Sequence, residues 1–392
     1  MEKLRNVILD IFVTLSIVDA ANIFTGLKTV SFIVVFLLYF FSYGFKFNHT
    51  FKMVCLIELI SVISFIFGRI YGCDYDSGMY MQYTFSFFML LVLMWDKNIN
   101  ISKIIYLPSF ILSIGTILLY VIFYFYPEYK YLISVYTDTN PPIIFISERT
   151  FLGIEFDGVF YTPLMFIVIP ACLSLYKLLY EKKRRINNLL WVILFLVSLF
   201  IGGNRACLLS LVFILSMALV LLLRKCSKRI LMITVPVSLC LFFYLTFMLL
   251  SEKEESNDVK SNHLETYIKI LEDRPSVYIT GMGPGSKVYS KGFHSYTPLM
   301  EWTYLELIRF YGLGSLVILY LFYNPVIYLY KHRAKFKYGL PISLGCGLYM
   351  VSAFGNPYLI NSTGMLVLIY ISTYIKHEKT KAILNHGREI NC

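Results

Sequence analysis

The chain has 392 residues, 58% hydrophobic, 17% aromatic and only 15% charged, with a formal net charge of +11. Soluble domains carry about a quarter charged residues, so a mean hydropathy of +0.67 excludes a soluble fold and indicates a polytopic membrane protein. The excess of positive charge is accounted for by membrane topology, so no nucleic-acid partner is needed to explain it.

Apolar stretches near the length of a membrane helix recur along the whole sequence, each suited to a hydrocarbon core about 30 Å thick. About twelve spans are predicted. They fall at 6–26, 30–45, 53–67, 79–95, 104–126, 159–180, 189–202, 206–223, 230–250, 304–330, 338–354 and 360–375. The first begins after Lys3 and Arg5 and lacks a small-residue cleavage site, which predicts a retained helix. Basic clusters at Lys182-Lys-Arg-Arg185, Arg224-Lys-Cys-Ser-Lys-Arg229, Lys331-His-Arg-Ala-Lys-Phe-Lys337 and from Lys376 onward fall on one side of these spans. Lysine and arginine are retained on the cytoplasmic side, so both termini are expected inside and the polar segments 127–158 and 251–303 outside. The whole chain, 1–392, is expected to form one integral membrane domain of all-α class. Within the second loop a short interfacial helix is expected at 264–271, after a charged turn at 251–256. Of eight cysteines only Cys73 lies in an outer loop, and no disulfide framework or zinc spacing is present.

Several polar residues stand out against this apolar background. Arg205, in Ile201-Gly-Gly-Asn-Arg-Ala206, sits at the outer turn between two spans. An arginine at the bilayer centre costs about 2.5 to 3.5 kcal/mol, so one near the interface calls for water, a partner or an anionic ligand. Snorkelling to the headgroups is the plain alternative. Arg274, in Glu272-Asp-Arg-Pro275, and Arg309 are the next two, since guanidinium forks suit phosphate oxygens. For Arg309, spacing alone favours an i,i+3 ion pair with Glu306; for Arg274 the alternative is solvation or pairing with Glu272 or Asp273. Glu301 and His294 are candidate general bases. Gly281-Met-Gly-Pro-Gly285 lacks the lysine order of a nucleotide loop and reads as a sharp turn that could aim N–H groups at an anion. Asp74-Tyr-Asp76 has the spacing of a metal-binding carboxylate pair, a match too short to assign. Asp10, Asp19 and Glu58 are scattered intramembrane acids, a pattern a proton-coupled transporter would use.

Taken together, Gly281-x-Gly-x-Gly-Ser286, Val288-Tyr289, Gly292-Phe293, Glu301-x-Thr-Tyr-Leu-Glu-Leu-Ile-Arg309 and Tyr311-Gly-Leu313 resemble the signature of bacterial O-antigen and capsule repeat-unit polymerases (Wzy-type). The Gly203-Asn-Arg205 turn resembles one shared by those polymerases and the O-antigen ligases. The resemblance implies a GT-C-like fold in the bacterial inner membrane and transfer of an oligosaccharide from one undecaprenyl pyrophosphate to a sugar hydroxyl of another lipid-linked unit. No nucleotide, metal or other cofactor is implied; the lipid-linked oligosaccharide, membrane lipid and a chain-length regulator are the implied partners. Arg205, Arg274 and Arg309 would contact the pyrophosphate, and the Glu301 to Arg309 block, with Tyr304 and Glu306, would form the acceptor-activating wall. Asn204, Gly283 and Gly285 would support it. His294 stands where the ligases place a catalytic histidine, which leaves the identity of the base open between it and Glu301. The alternatives are a ligase, which shares the chemistry and differs in acceptor, and a flippase or other twelve-helix transporter, which would line a midplane cavity with charge.

Overall fold

The computed structural model describes residues 2–19, 26–44, 47–92, 101–139, 144–151, 154–223, 236, 237, 240, 244, 254–356 and 359–389. In chain order the elements are α1 (Glu2–Val18), α2 (Leu27–Tyr43), α3 (His49–Ile70), α4 (Ser77–Phe88), α5 (Ile101–Phe125), α6 (Pro127–Thr139), β1 (Ile144–Phe151) and β2 (Ile154–Tyr161). Then follow α7 (Val168–Tyr180), α8 (Arg185–Gly202), α9 (Arg205–Leu223), α10 (Glu254–Asp273), β3 (Val288–Ser290), β4 (Ser295–Thr297), α11 (Thr303–Tyr311), α12 (Ser315–Lys331), α13 (Gly339–Ser352) and α14 (Ser362–Glu389). Among the described residues six helical segments are long and apolar enough to cross a membrane: His49–Ile70, Ile104–Phe125, Thr162–Tyr180, Arg185–Gly202, Arg205–Leu223 and Thr303–Lys331. The protein is a mostly helical, multi-pass membrane protein.

The chain is mostly helical as expected, and its two polar segments each carry an antiparallel hairpin, β1–β2 and β3–β4. Some expected boundaries move. The span expected at 159–180 starts as the end of strand β2 and a 3-10 turn at Thr162–Ile167, with Pro163 near its start, before α7 begins. The span expected at 304–330 is present as Thr303–Lys331, with a 3-10 turn at Gly312–Gly314 between α11 and α12. The charged turn at 251–256 is helical from Glu254, and the short helix expected at 264–271 is part of a 20-residue helix. The span expected at 230–250 lies almost wholly outside the described residues.

The chain divides into two compact units. The second, Ile105–Glu254 with Tyr338–Ser352, is built round α7, whose residues Val168 to Leu175 are all buried. Gly345 of α13 lies so close to α7 that a Cβ there would meet the Ile169 Cα at 2.9 Å. In the β1–β2 ladder Ile144 faces Tyr161 and Phe151 faces Ile154; the alternate residues Ile144 and Ile146 join Phe123, Val159 and Ile201 in an apolar cluster. Lys130 of α6 donates to Asp157 of β2 at 2.6 Å.

The first unit holds Met1–Ile104, Glu255–Lys337 and Ala353–Cys392. Here α14 meets α1 through Ser362, which donates to the Ser16 carbonyl at 2.6 Å. Asp76 accepts from the Met79 amide at 2.9 Å and so caps α4, giving one acid of the Asp-x-Asp triplet a structural role. The polar segment from α10 to α11 folds as one body with its own apolar cluster of Cys73, Tyr267, Val277, Met282, Val288 and Met300.

Candidate functional site

Short sequence spacing brings Glu306 and Arg309 onto one face of α11, three residues apart. Both are buried, at 3% and 1% exposure. The Arg309 guanidinium donates from Nε to Glu306 Oε2 at 2.8 Å, and its NH2 lies 2.6 Å from the same oxygen. NH1 donates to the carbonyl and the hydroxyl of Ser286, at 2.8 and 2.9 Å, and NH2 to the Pro298 carbonyl at 2.9 Å. These five contacts match the five N–H donors of the side chain. The other Glu306 oxygen accepts the Met300 amide at 2.5 Å. Removing two charges from water is costly, and only such complete pairing makes it tolerable. The i,i+3 pair that spacing favoured is therefore present, and Arg309 holds the loop at Ser286 and Pro298 to its helix instead of presenting its fork to solvent.

The glycine turn is held the same way. Met282 and Gly283 donate to the carbonyls of Arg309 and Phe310 at 2.7 and 2.9 Å, Ser286 to Gly283 at 3.3 Å and Lys287 to Asp74 at 2.7 Å. These N–H groups face protein carbonyls, which corrects the expectation of an anion cradle. Glycine is required here by backbone contact. Gly281 (φ +70°) and Gly312 (φ +54°) abut, so that a Cβ at either would fall 2.3 Å from the carbonyl oxygen of Phe310 or Ile279. Gly283 and Gly285 likewise lie against the backbone of Phe65 and Asp76, so their supporting role is packing. Tyr75 closes the arrangement by donating to the Met282 carbonyl at 2.6 Å.

The rim of this body is different. Arg274 is exposed; its NH1 donates to the Tyr71 carbonyl at 2.9 Å and its guanidinium carbon lies 5.9 Å from the Tyr71 ring centroid. Among the described residues its Nε and NH2 meet no protein acceptor. Glu301, half-buried, has Oε2 at 3.5 Å from Lys260 Nζ of α10, and its carbonyl accepts from Tyr267 at 2.8 Å. Trp302 follows with a left-handed backbone (φ 74°, ψ 71°), its indole donating to the Lys260 carbonyl at 2.9 Å. Tyr304 shares a 2.6 Å hydrogen bond with Tyr323. His294 is exposed in the turn of the β3–β4 hairpin (φ 49°). The structure thus joins Glu301, Tyr304, Glu306, Arg309 and the glycines in one body, with Arg274 and His294 on its surface. A small pocket lined by Tyr83, Thr303, Glu306, Leu307, Phe310 and Ile360 opens beside the buried pair.

Arg205 and Asn204 belong to the second unit. Gly203 closes α8 in a left-handed conformation, and the Asn204 side chain accepts the Ala206 amide at 2.9 Å, capping α9. Arg205 is the first residue of α9 and half-buried.

Sequence reasoning passed over Lys260, His263 and Tyr267, which share one face of α10 at helical spacing. The signal was the apolar and polar periodicity of 254–273, read over only eight residues. His263 is fully buried against Phe293, ring centroids 4.5 Å apart, and neither ring nitrogen has a hydrogen-bond partner among the described residues. Burial, reinforced by the Lys260 charge, pushes its pKa down to about 4. Burial pushes the Cys73 thiol up, against the opposing pull of Arg274. Arg69, exposed in the last turn of α3 with its guanidinium 4.9 Å from the Tyr75 ring centroid, was also missed. Among known protein families, curated proteins and solved structures, none matches this chain.

Proposed function

We propose that the protein polymerises undecaprenyl-pyrophosphate-linked oligosaccharide repeat units into O-antigen or capsular polysaccharide at the outer face of a bacterial inner membrane. The reading includes about twelve spans in a GT-C-like arrangement with both termini cytoplasmic. It rests on the sequence resemblance and on one observation: the segment from Gly281 to Tyr311 folds into a single body at the N-terminal end of the candidate membrane span Thr303–Lys331. On the surface of that body Arg274 keeps unfilled donors at the C-terminal end of α10, and Lys260, fourteen residues earlier on the same helix, pairs with Glu301.

In the reaction a sugar hydroxyl of the acceptor forms a bond to the anomeric carbon of the donor chain. The bond from that carbon to the pyrophosphate oxygen breaks, and undecaprenyl pyrophosphate departs with the bonding electrons. Glu301 takes the hydroxyl proton, and Arg274 stabilises the charge of the departing pyrophosphate. Arg205 keeps the pyrophosphate-contact role that the resemblance implies. Arg309 is assigned to holding Glu306 and the loop, a role that its burial supports.

The test is the lipid-linked product profile of a strain lacking the gene. Accumulated single repeats support the polymerase; long lipid-linked chains mean a ligase, and an unchanged profile removes both. In a complementing copy Arg205→Lys should restore only part of the activity that Arg205→Ala loses, because it keeps the charge and loses the fork.

A further inference from the structure

The polymerase reading gives no role to Lys260 and Phe354, which meet the Glu301–Tyr304 segment. Trp302 sits between the candidate base Glu301 and the start of α11 with its backbone in the left-handed region, an arrangement disfavoured for a bulky residue. Such strain persists only where surrounding contacts enforce it, and here they are specific. The indole donates to the Lys260 carbonyl, and its ring meets Phe354 edge-on at 5.2 Å and 89°. Phe354 in turn lies 5.4 Å from Tyr304, yet is 51% exposed. Gly355 comes so near the Lys260 ammonium that a Cβ there would fall 3.1 Å from it, which leaves Nζ between that backbone and Glu301. A half-buried carboxylate and ammonium therefore border a wall of aromatic rings, one of them half exposed.

This combination has a chemical meaning. A pyranose ring presents a C–H face that rests on an aromatic face and hydroxyls that require strong, directed partners at its edge. We propose that Lys260, Glu301, Trp302, Tyr304 and Phe354 form a saccharide subsite that seats the acceptor sugar, with Lys260 as a positioning residue that holds the Glu301 carboxylate. The proposal deepens the polymerase reading and rests on it.

The experiment uses full-length protein in nanodiscs and the lipid-linked single repeat extracted from the deletion strain as acceptor. Phe354→Ala should raise the acceptor KM about tenfold with kcat within about twofold, since the ring contacts the bound sugar and not the reacting atoms. Lys260→Met should lower kcat by about tenfold or more, and Lys260→Arg should recover most of it. The chain has three tryptophans, so a Trp95→Phe, Trp191→Phe background isolates Trp302. Its fluorescence should then saturate on titration with the same lipid-linked repeat and lose that response in Phe354→Ala. An unchanged acceptor KM in Phe354→Ala, or a Trp302 signal indifferent to the repeat, overturns the subsite while leaving the polymerase standing. A deletion strain without accumulated repeats fails the polymerase reading, and the subsite falls with it.

Discussion

Two arginines in the same unit meet opposite surroundings. Arg309 is enclosed, with five nitrogen–oxygen contacts of 2.9 Å or less. Arg274 stands exposed on the rim, held by one nitrogen to the Tyr71 carbonyl. Both carry the fork that suits phosphate. The difference teaches that the fork signals ligand binding only where protein acceptors leave it unfilled; inside the loop the same group is architecture. Glu306 and Glu301 repeat the contrast, one saturated by Arg309 and the Met300 amide, the other half-buried beside Lys260.

The contrast can be broken first at Arg309. Arg309→Met leaves a buried carboxylate without its counter-charge, which should cost about 3 to 5 kcal/mol and lower both membrane yield and melting temperature. Adding Glu306→Gln should recover much of that loss. A single mutant that melts like the parent yet cannot polymerise would reverse the assignment.

Arg274→Ala should do the opposite. Stability in detergent should change by less than about 1 kcal/mol. Transfer, measured as polymer length and single-turnover rate, should fall about 10²- to 10³-fold. Intact polymerisation in this mutant would return the pyrophosphate contact to some other cation.

A smaller effect sharpens the boundary between rim and interior at His263. Its folded pKa of about 4 lies below the ordinary value of 6.5, so the unfolded chain binds more protons between these limits. Stability should therefore be flat above about pH 6.5 and fall as pH drops toward 4, by no more than about 1.4 kcal/mol per pH unit from this group. Melting temperatures of the parent and His263→Phe across that range should diverge in slope, and parallel curves would remove His263 from the account. Least of all, Asn204→Ala should cost about 1 kcal/mol through loss of the α9 cap, read as a small shift in the denaturation midpoint.

The lipid-compatible helices were legible because twenty consecutive apolar residues admit few other structures. The segments expected at 53–67, 189–202 and 206–223 lie inside α3, α8 and α9, and 104–126 overruns α5 by one residue. The misreadings share a cause. Val159 to Tyr161 is equally apolar as a strand or as a helix start, and Thr162-Pro163 was the local sign of a change. In Ile144-Phe-Ile-Ser147 the alternation is visible only in part, since Ile144 and Ile146 join one cluster while Phe145 is exposed and just as apolar. In the site, the pairing of Glu306 with Arg309 was readable from their spacing. Ser286 and Pro298, which complete the Arg309 cage, stand 23 and 11 residues away and carried no such signal.

By itself the sequence determined that this chain lives in a membrane and which stretches are helical, because burial of apolar length in hydrocarbon and local backbone pairing are properties of contiguous residues. Tertiary structure alone decided which arginine is structural and which is open, and it brought Lys260 and His263 to the loop. Those outcomes depend on where distant carbonyls, hydroxyls and rings come to lie once the loop has folded onto α11, and hydrogen-bond saturation is a property of that arrangement and not of any residue type.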